Sequence, residues 1–461
     1  MAEKIRLGVI SDFAAPSGFA AVSQQIVNYL DNTDKYEIFV LGINYHGAPN
    51  DWAKRFNVWP AKLGGDYLGV GFTKTFIRDI KPNVVFLFQD FWNLPLYIGQ
   101  MEAHQHGVVC YYPVDARNIK GQYMMALAAA QKLVCYTHFG VEESTRAAEE
   151  AWDIVKVTAN KNKVSVAEQI TAGIGTMAGI DNVGQTEVPI SVYQLKSMKD
   201  ASYYDVIPHG VDITNFYPTD KKAAREYFNL PKDAFIIGNV NRNQSRKRQD
   251  ISIAAFSEFA KDKDNTYLLL HCVRNDPKGW DLAQLSYYYG VADKVIFTHE
   301  LFPGKEATLE TLNFIYNTLD VQINTGGGEG WGLTSVEGAA CMVPQIVPDW
   351  SATKEIWEGN GLLLNVVGFR HEPSSINTKQ AVCDHKHCAE LLSELYEDEG
   401  KRIAVGEACY YVTQRPEYSW EAIGAAFDKL FTAAADKKPE IKPVAFNAEG
   451  VLELKKRGII V

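Results

Sequence analysis

Short, near-continuous apolar runs alternate with helical spacing along most of the chain. In the first half the runs IRLGVIS, EIFVLGI, NVVFLFQ, VVCYYPV and KLVCYT predict strands, because strands covered on both faces carry few polar positions. Between the first two, Val22, Ile26, Val27 and Leu30 fall on one helical face and predict a helix over 17–31. The second half repeats the grammar with FIIGNVN, TYLLLHC, KVIFTHE, DVQINTG and PQIVPD. Strand–helix alternation of this kind predicts α/β architecture with doubly wound parallel sheets.

The segment VIPHGVDITNFYPTD, with Pro208, Gly210 and Pro218, reads as a linker between the halves. The expected organisation is two Rossmann-like domains, 1–205 and 206–417, facing a cleft. A helix over 418–435 carries Trp420, Ile423, Phe427, Leu430 and Phe431 on one side, and a tail follows from 436 to 461. Residues 150–200 have weak periodicity and read as an insertion in the first domain.

Composition narrows the classes. The 461 residues are 46% hydrophobic and 22% charged, which is globular rather than disordered. A net charge of −10 argues against general affinity for nucleic-acid backbones or anionic membranes. Seven scattered cysteines form no disulfide framework and fit a reducing cytoplasm. The N-terminus enters a strand-like run without a secretory pattern, and the apolar runs fall far short of the roughly 20 residues that span a bilayer.

Two segments carry candidate chemistry. In TGGGEGWGLTSVEGAA, Gly326, Gly327 and Gly328 follow a strand and precede a helix beginning near Gly332. Glycines there let backbone approach a ligand, and a helix N-terminus offers N–H groups to an anion. Glu329 lies in the loop and Glu337 eight residues on, in the helix, where a carboxylate can accept from a ribose diol. The bland alternative is a tight turn with surface glutamates. The second segment, GNVNRNQSRKRQD, gathers Arg242, Arg246, Lys247 and Arg248 in an otherwise acidic chain and suggests an anion site, against the alternative of a solvated basic loop.

Together the two segments resemble the retaining glycosyltransferases of the GT-B fold, family-4 type, relatives of glycogen and sucrose synthases. The resemblance implies that Arg242 and Lys247, five apart, clamp the donor diphosphate, and that Glu337 binds the nucleotide ribose. Glu329 would lie near the donor sugar, with backbone N–H groups from Gly330, Trp331, Gly332, Leu333 and Thr334 on sugar and phosphate. Gly18, in APSGFAAVSQ after the first strand, matches the family's glycine loop. The implied reaction is transfer from a UDP-, GDP- or ADP-sugar to an acceptor hydroxyl, with retention and with no metal. Saccharide, lipid-linked glycan, protein and modified nucleic acid all stay open as acceptors, as does self-association into a homo-oligomer.

The first domain departs from the family. Where many members place a histidine after the strand VVCYYPV, this chain has Val114 and Asp115. Asp115 is therefore the first-domain candidate for catalysis, against a helix-capping role. Asp90, Trp92 and His138, also at strand ends, are weaker candidates. Asp262–Lys263–Asp264 does not resemble a metal-diphosphate motif. CDHKHC (Cys383, His385, His387, Cys388) fits no standard zinc spacing, and Asp384 reads as a helix N-cap. A sugar-nucleotide epimerase of the same fold and a non-catalytic sugar-nucleotide-binding protein are the competing readings.

Overall fold

The computed structural model describes residues 3–62, 65–101, 106–162, 192–302, 307–373 and 376–436. The chain divides into two compact units. The first comprises Met1–Val114, Asn118–His209 and Trp420–Val461; the second comprises Asp115–Arg117 and Gly210–Ser419. Most of the expected 150–200 insertion and the tail after 436 lie outside the described residues.

The first unit is built on seven parallel strands: β1 (Ile5–Asp12), β2 (Tyr36–Ile43), β3 (Asn57–Pro60), β4 (Val84–Phe88), β5 (Gly107–Tyr112), β6 (Lys132–Cys135) and β7 (Asp205–Val206). Their order is β3-β2-β1-β4-β5-β6-β7. The sheet reverses direction of growth beside β1, which is where open α/β sheets bind ligands. Each strand predicted in this half is present. The continuous apolar runs are continuously buried: every residue of β4 and β5 is inside. The first helix, Gly18–Asn32, is capped by the Ser17 hydroxyl accepting from the Ala20 amide at 3.1 Å, and buries Val22, Ile26, Val27 and Leu30 as its spacing predicts.

The C-terminal helix, Trp420–Asp436, belongs to this first unit. Phe427 and Phe431 are fully buried, each with its ring 5.2 Å from Phe86. The helix lies so close to Gly18–Asn32 that a Cβ on Gly424 would fall 2.2 Å from Tyr29 Cγ. Because Cβ of the tyrosine is as near as its ring, the side chain cannot swing clear. Gly424→Ala is expected to destabilise the protein by about 1–3 kcal/mol, read as a lower urea midpoint at unchanged slope.

The second unit has six parallel strands, β8 (Phe235–Val240), β9 (Thr266–His271), β10 (Val295–Phe297), β11 (Val321–Ile323), β12 (Gln345–Pro348) and β13 (Leu362–Leu364), in the order β10-β9-β8-β11-β12-β13. Its core gathers Ile237, Phe256, Leu268, Leu270, Val321, Ile323 and Ile346. A separate antiparallel hairpin, β14 (Val366–His371) with β15 (Lys379–Cys383), joins this unit. Asp384 caps the next helix, His385–Glu397, accepting from the Lys386 amide at 2.9 Å, while Cys383 and Cys388 are buried in the core. Among the described residues no helix is long and apolar enough to cross a membrane.

Candidate functional site

Strand β8 ends at Val240, and the chain then runs through the basic loop into the helix Gln249–Phe259. Buried polar side chains fix this loop. The Asn243 amide donates to the Trp280 carbonyl at 2.7 Å and accepts from the Trp280 amide at 3.0 Å. Gln249 Nε2 donates to the Arg242 carbonyl at 2.6 Å. Below the loop, Asn239 donates to Ser252, whose hydroxyl pairs with Thr325 at 2.7 Å, and Thr325 donates to the Arg248 carbonyl. Each group is buried, so each bond left unmade would cost the desolvation of its atoms.

The four basic residues separate by conformation. Arg242 is exposed, and among the described residues no carboxylate pairs with it. Arg248 takes the left-handed region at φ +51° and turns to Asp250. Lys247 points inward, its ammonium 2.6 Å from Glu329 Oε1. Arg246 reaches Glu329 Oε2 at 3.3 Å and Asp115 Oδ2 at 3.2 Å. The segment Asp115–Arg117 groups with this second unit, so Lys247, Glu329, Arg246 and Asp115 form one charge cluster.

Glu329 is held from every side. Its amide donates to Ser351 Oγ at 3.0 Å, and Asn324 Nδ2 donates to its Oε1 at 3.3 Å. Burial alone would push its carboxyl up, but the charges of Lys247 and Arg246 outweigh this and hold it down at about 2. Burial pulls the Lys247 ammonium below its ordinary value even with Glu329 beside it. Glu337 is the opposite case. It sits on the helix Leu333–Ala340 and accepts from the Tyr316 hydroxyl at 2.6 Å. Burial, with the Asp212 charge adding, pushes it up to about 7 against that hydrogen bond.

The glycine run is close-packed for a reason other than the one its sequence suggests. A Cβ on Gly327 would lie 3.0 Å from Gln380 Cβ, and one on Gly328, at φ +155°, would lie 1.7 Å from the Asp115 carbonyl oxygen. The Gly327 amide donates to the Arg246 carbonyl, and its carbonyl accepts from Ala381. These glycines admit neighbouring chain rather than a ligand. Gly332 is different: it enters the helix at φ +93° with nothing nearer than 3.8 Å to a Cβ. Gly330 and Trp331 before it are buried, and Leu333 and Thr334 open the first turn.

The remaining candidates lie in the first unit. Gly18 is exposed and begins its helix. Asp90 and Trp92 are partly buried, the Trp92 ring packing edge-on at 4.8 Å to Phe91. His138 is exposed at the start of its helix. Sequence reasoning counted Arg246 as one of four cations without a role, and did not identify Asn324, Ser351 or Tyr316 as partners of the acids.

No protein-family model matches the chain. Among curated proteins, it is 30% identical over 154 residues to D-inositol 3-phosphate glycosyltransferase 2 of Catenulispora acidiphila, spanning 32% of this chain and 35% of that protein. It is 24% identical over 245 residues to the D-inositol 3-phosphate glycosyltransferase of Thermobispora bispora, spanning 53% of each. The chain thus spans about a third to a half of these relatives' length. Among solved structures it is similar to sucrose-phosphate synthase of Thermosynechococcus elongatus, with a TM-score of 0.61 at 15% identity over 93% of this chain and 99% of that one. It is also similar to Anabaena HepE in complex with UDP-glucose, with a TM-score of 0.58 at 13% identity over 93% and 100%.

Proposed function

We propose that this chain, which has the two-domain fold of GT-B glycosyltransferases, transfers a sugar from a nucleoside diphosphate donor to an acceptor hydroxyl. The observation that carries the reading is the charge cluster at the end of β8 and β11. Lys247 and Arg246 sit partly buried beside the buried Glu329, Arg242 stands exposed in the same loop, and the helix entry at Gly332 follows the acid. A leaving diphosphate gathers negative charge as the glycosidic bond breaks. Cations and backbone N–H groups fixed in advance stabilise that charge without reorganising.

In this reading Arg242 and Lys247 take the diphosphate, and the amides of Gly330 to Thr334 take sugar and phosphate oxygens. Glu329 orients the donor sugar and keeps Lys247 in place. Retention follows if the leaving phosphate accepts the acceptor proton on the face it departs from. Asp115 is engaged with Arg246 at 3.2 Å, which suits holding a cation better than serving as a base. No step calls for a metal ion. The deciding experiment is a binding screen over UDP-, GDP- and ADP-sugars with mass detection of released nucleotide; a protein that binds none of them sinks the proposal.

Glu337 adds a pH signature. A ribose diol donates two hydrogen bonds, which an ionised carboxylate accepts and a protonated one accepts less well. A folded value near 7 means the acceptor form is gained as pH rises through 7. Nucleotide affinity is expected to rise by about tenfold from pH 6 to 8, read by calorimetry. Glu337→Gln should bind more weakly and keep only the slope that comes from the nucleotide's own phosphate.

A further inference from the structure

The sheet of the first unit reverses its growth between β1 and β4, and the carboxyl ends of such strands are where a ligand fits. Ile10 pairs with Leu87 across these two strands. The same register, carried two positions on, sets Asp12 at the end of β1 beside Gln89, just past the end of β4. Both side chains are nearly closed off, Asp12 at 5% and Gln89 at 4% exposed.

Neighbours hold the Asp12 carboxylate still. Its Oδ2 accepts from the Ser17 hydroxyl at 2.7 Å and its Oδ1 from Asn44 Nδ2 at 3.0 Å. Tyr97, on the helix Leu94–Ile98, packs near it. Burial and then the charges of Asp12 and Asp66 push the Tyr97 hydroxyl well above its ordinary value, and it donates to the Leu68 carbonyl at 2.7 Å.

Gln89 and Trp92 are built differently. Gln89 Oε1 accepts from the Asp90 amide at 2.8 Å, which fixes the oxygen end of its side chain and turns Nε2 away from that amide. Among the described residues no acceptor meets Nε2. A donor so deeply buried is costly unless something outside the chain accepts from it. Three residues on, the partly buried Trp92 ring packs edge-on against Phe91, with centres 4.8 Å apart and planes at 80°. Among the described residues no other ring or cation lies on it, and no acceptor meets its indole N–H. One sheet edge thus offers a carboxylate, an amide donor and an aromatic face. Hydroxyl pairs suit the planar polar groups, and the C–H face of a sugar ring suits the indole.

Charge narrows the ligand. The loops after β1, β2 and β4, residues 13–17, 44–50 and 89–93, contain no lysine and no arginine, and the last of them adds Asp90 to Asp12. A phosphate or carboxylate would meet two acids there without a guanidinium or ammonium from any of these loops. A sugar carrying hydroxyls alone donates to Asp12 and accepts from Gln89 without that repulsion.

We propose that Asp12, Gln89 and Trp92 form a subsite for an uncharged sugar, and that this sugar is the acceptor. The acceptor role rests on the glycosyltransferase reading; the subsite itself does not.

Two measurements keep these apart. The first is saturation-transfer NMR on the full chain without donor, with glucose, galactose and mannose as probes, each also as its 6-phosphate. At least one neutral sugar should bind, and its 6-phosphate should bind at least about tenfold more weakly. Affinity for that sugar should fall about tenfold or more in Gln89→Met and in Trp92→Ala, with melting temperatures followed in parallel. Trp92 is partly exposed, so Trp92→Ala carries the test if Gln89→Met does not fold. Binding of no neutral sugar, tighter binding of the 6-phosphates, or unchanged affinity in every folded variant overturns the subsite.

The second measurement offers the same sugars as acceptors with the donor that the chain turns over. The neutral sugar should exceed its 6-phosphate about tenfold in kcat/KM, and Trp92→Ala should raise its KM about tenfold at unchanged donor KM. Equal or better use of the 6-phosphate overturns the acceptor assignment. If no donor is turned over, the glycosyltransferase reading fails and with it the acceptor role, while the NMR titration still decides whether the sugar subsite exists.

Discussion

Arg242→Ala is expected to lower turnover by about a hundredfold while leaving the urea midpoint unchanged, and Arg242→Ala with Lys247→Gln to bring transfer below detection. The two halves of the pair act through different physics. Arg242 is exposed and makes no ion pair with a carboxylate among the described residues, so its charge contributes little to the folded state and is available to a ligand. Lys247 is 14% exposed and engaged with Glu329. Removing its charge weakens diphosphate binding and also leaves Glu329 with Arg246 as its nearby cation, so both activity and stability should fall. The single Arg242 variant is therefore the cleaner test of mechanism. Released nucleotide measured by mass, with unfolding followed in parallel, checks both. Unchanged turnover in the double variant would remove the basic loop from the reaction altogether.

The sheet strands were readable because burial on two faces leaves little freedom. FIIGNVN and NVVFLFQ have few polar positions, and strands β8 and β4 are buried along their whole length. The hairpin β14–β15 was not readable for the converse reason. Val366–His371 alternates partly buried and exposed residues, and its partner strand mixes Lys379 and Gln380 with Ala381 and Val382. Neither run is apolar enough to stand out, and tertiary contacts to Gly327 and Ser245 hold it in place.

The site shows the same division. The resemblance to the family singled out Lys247 and Glu329, and the structure brings them to 2.6 Å. Nothing in the string Arg246–Lys247–Arg248 tells one cation from the next. A left-handed residue at Arg248 and a tight turn over Ser245–Lys247 decide which points inward, and those are backbone facts. The glycines were conspicuous in the sequence, but their cause was not. Gly327 and Gly328 are required by Gln380 and Asp115, residues tens to hundreds of positions away that no local pattern connects to them.

Glu329→Gln should remove a distinct acid-sensitive component of stability. A carboxyl held at about 2 in the folded chain, against an ordinary value of 4.5, contributes stability that is fully present above 4.5 and is lost as pH falls through 2. The full contribution is about 3 kcal/mol, of which about 2 is gone by pH 3. Lys247 acts in the opposite sense, since an ammonium whose folded value is depressed costs stability once protonated. The pair as a whole therefore contributes less than Glu329 suggests, and the acid limb is the part that Glu329 alone controls. Urea unfolding at pH 6 and pH 3 should show wild type losing about 2 kcal/mol more than Glu329→Gln over that interval. At pH 6 the variant should already be weaker by about 3–5 kcal/mol, because Lys247 and Arg246 then face each other without the acid between them. Donor binding should partly restore the variant, since a diphosphate supplies the missing negative charge to the same cations. Equal pH dependence in the two proteins would mean that the buried pair is not charged in the folded state, and Lys247 would lose its place in the diphosphate clamp.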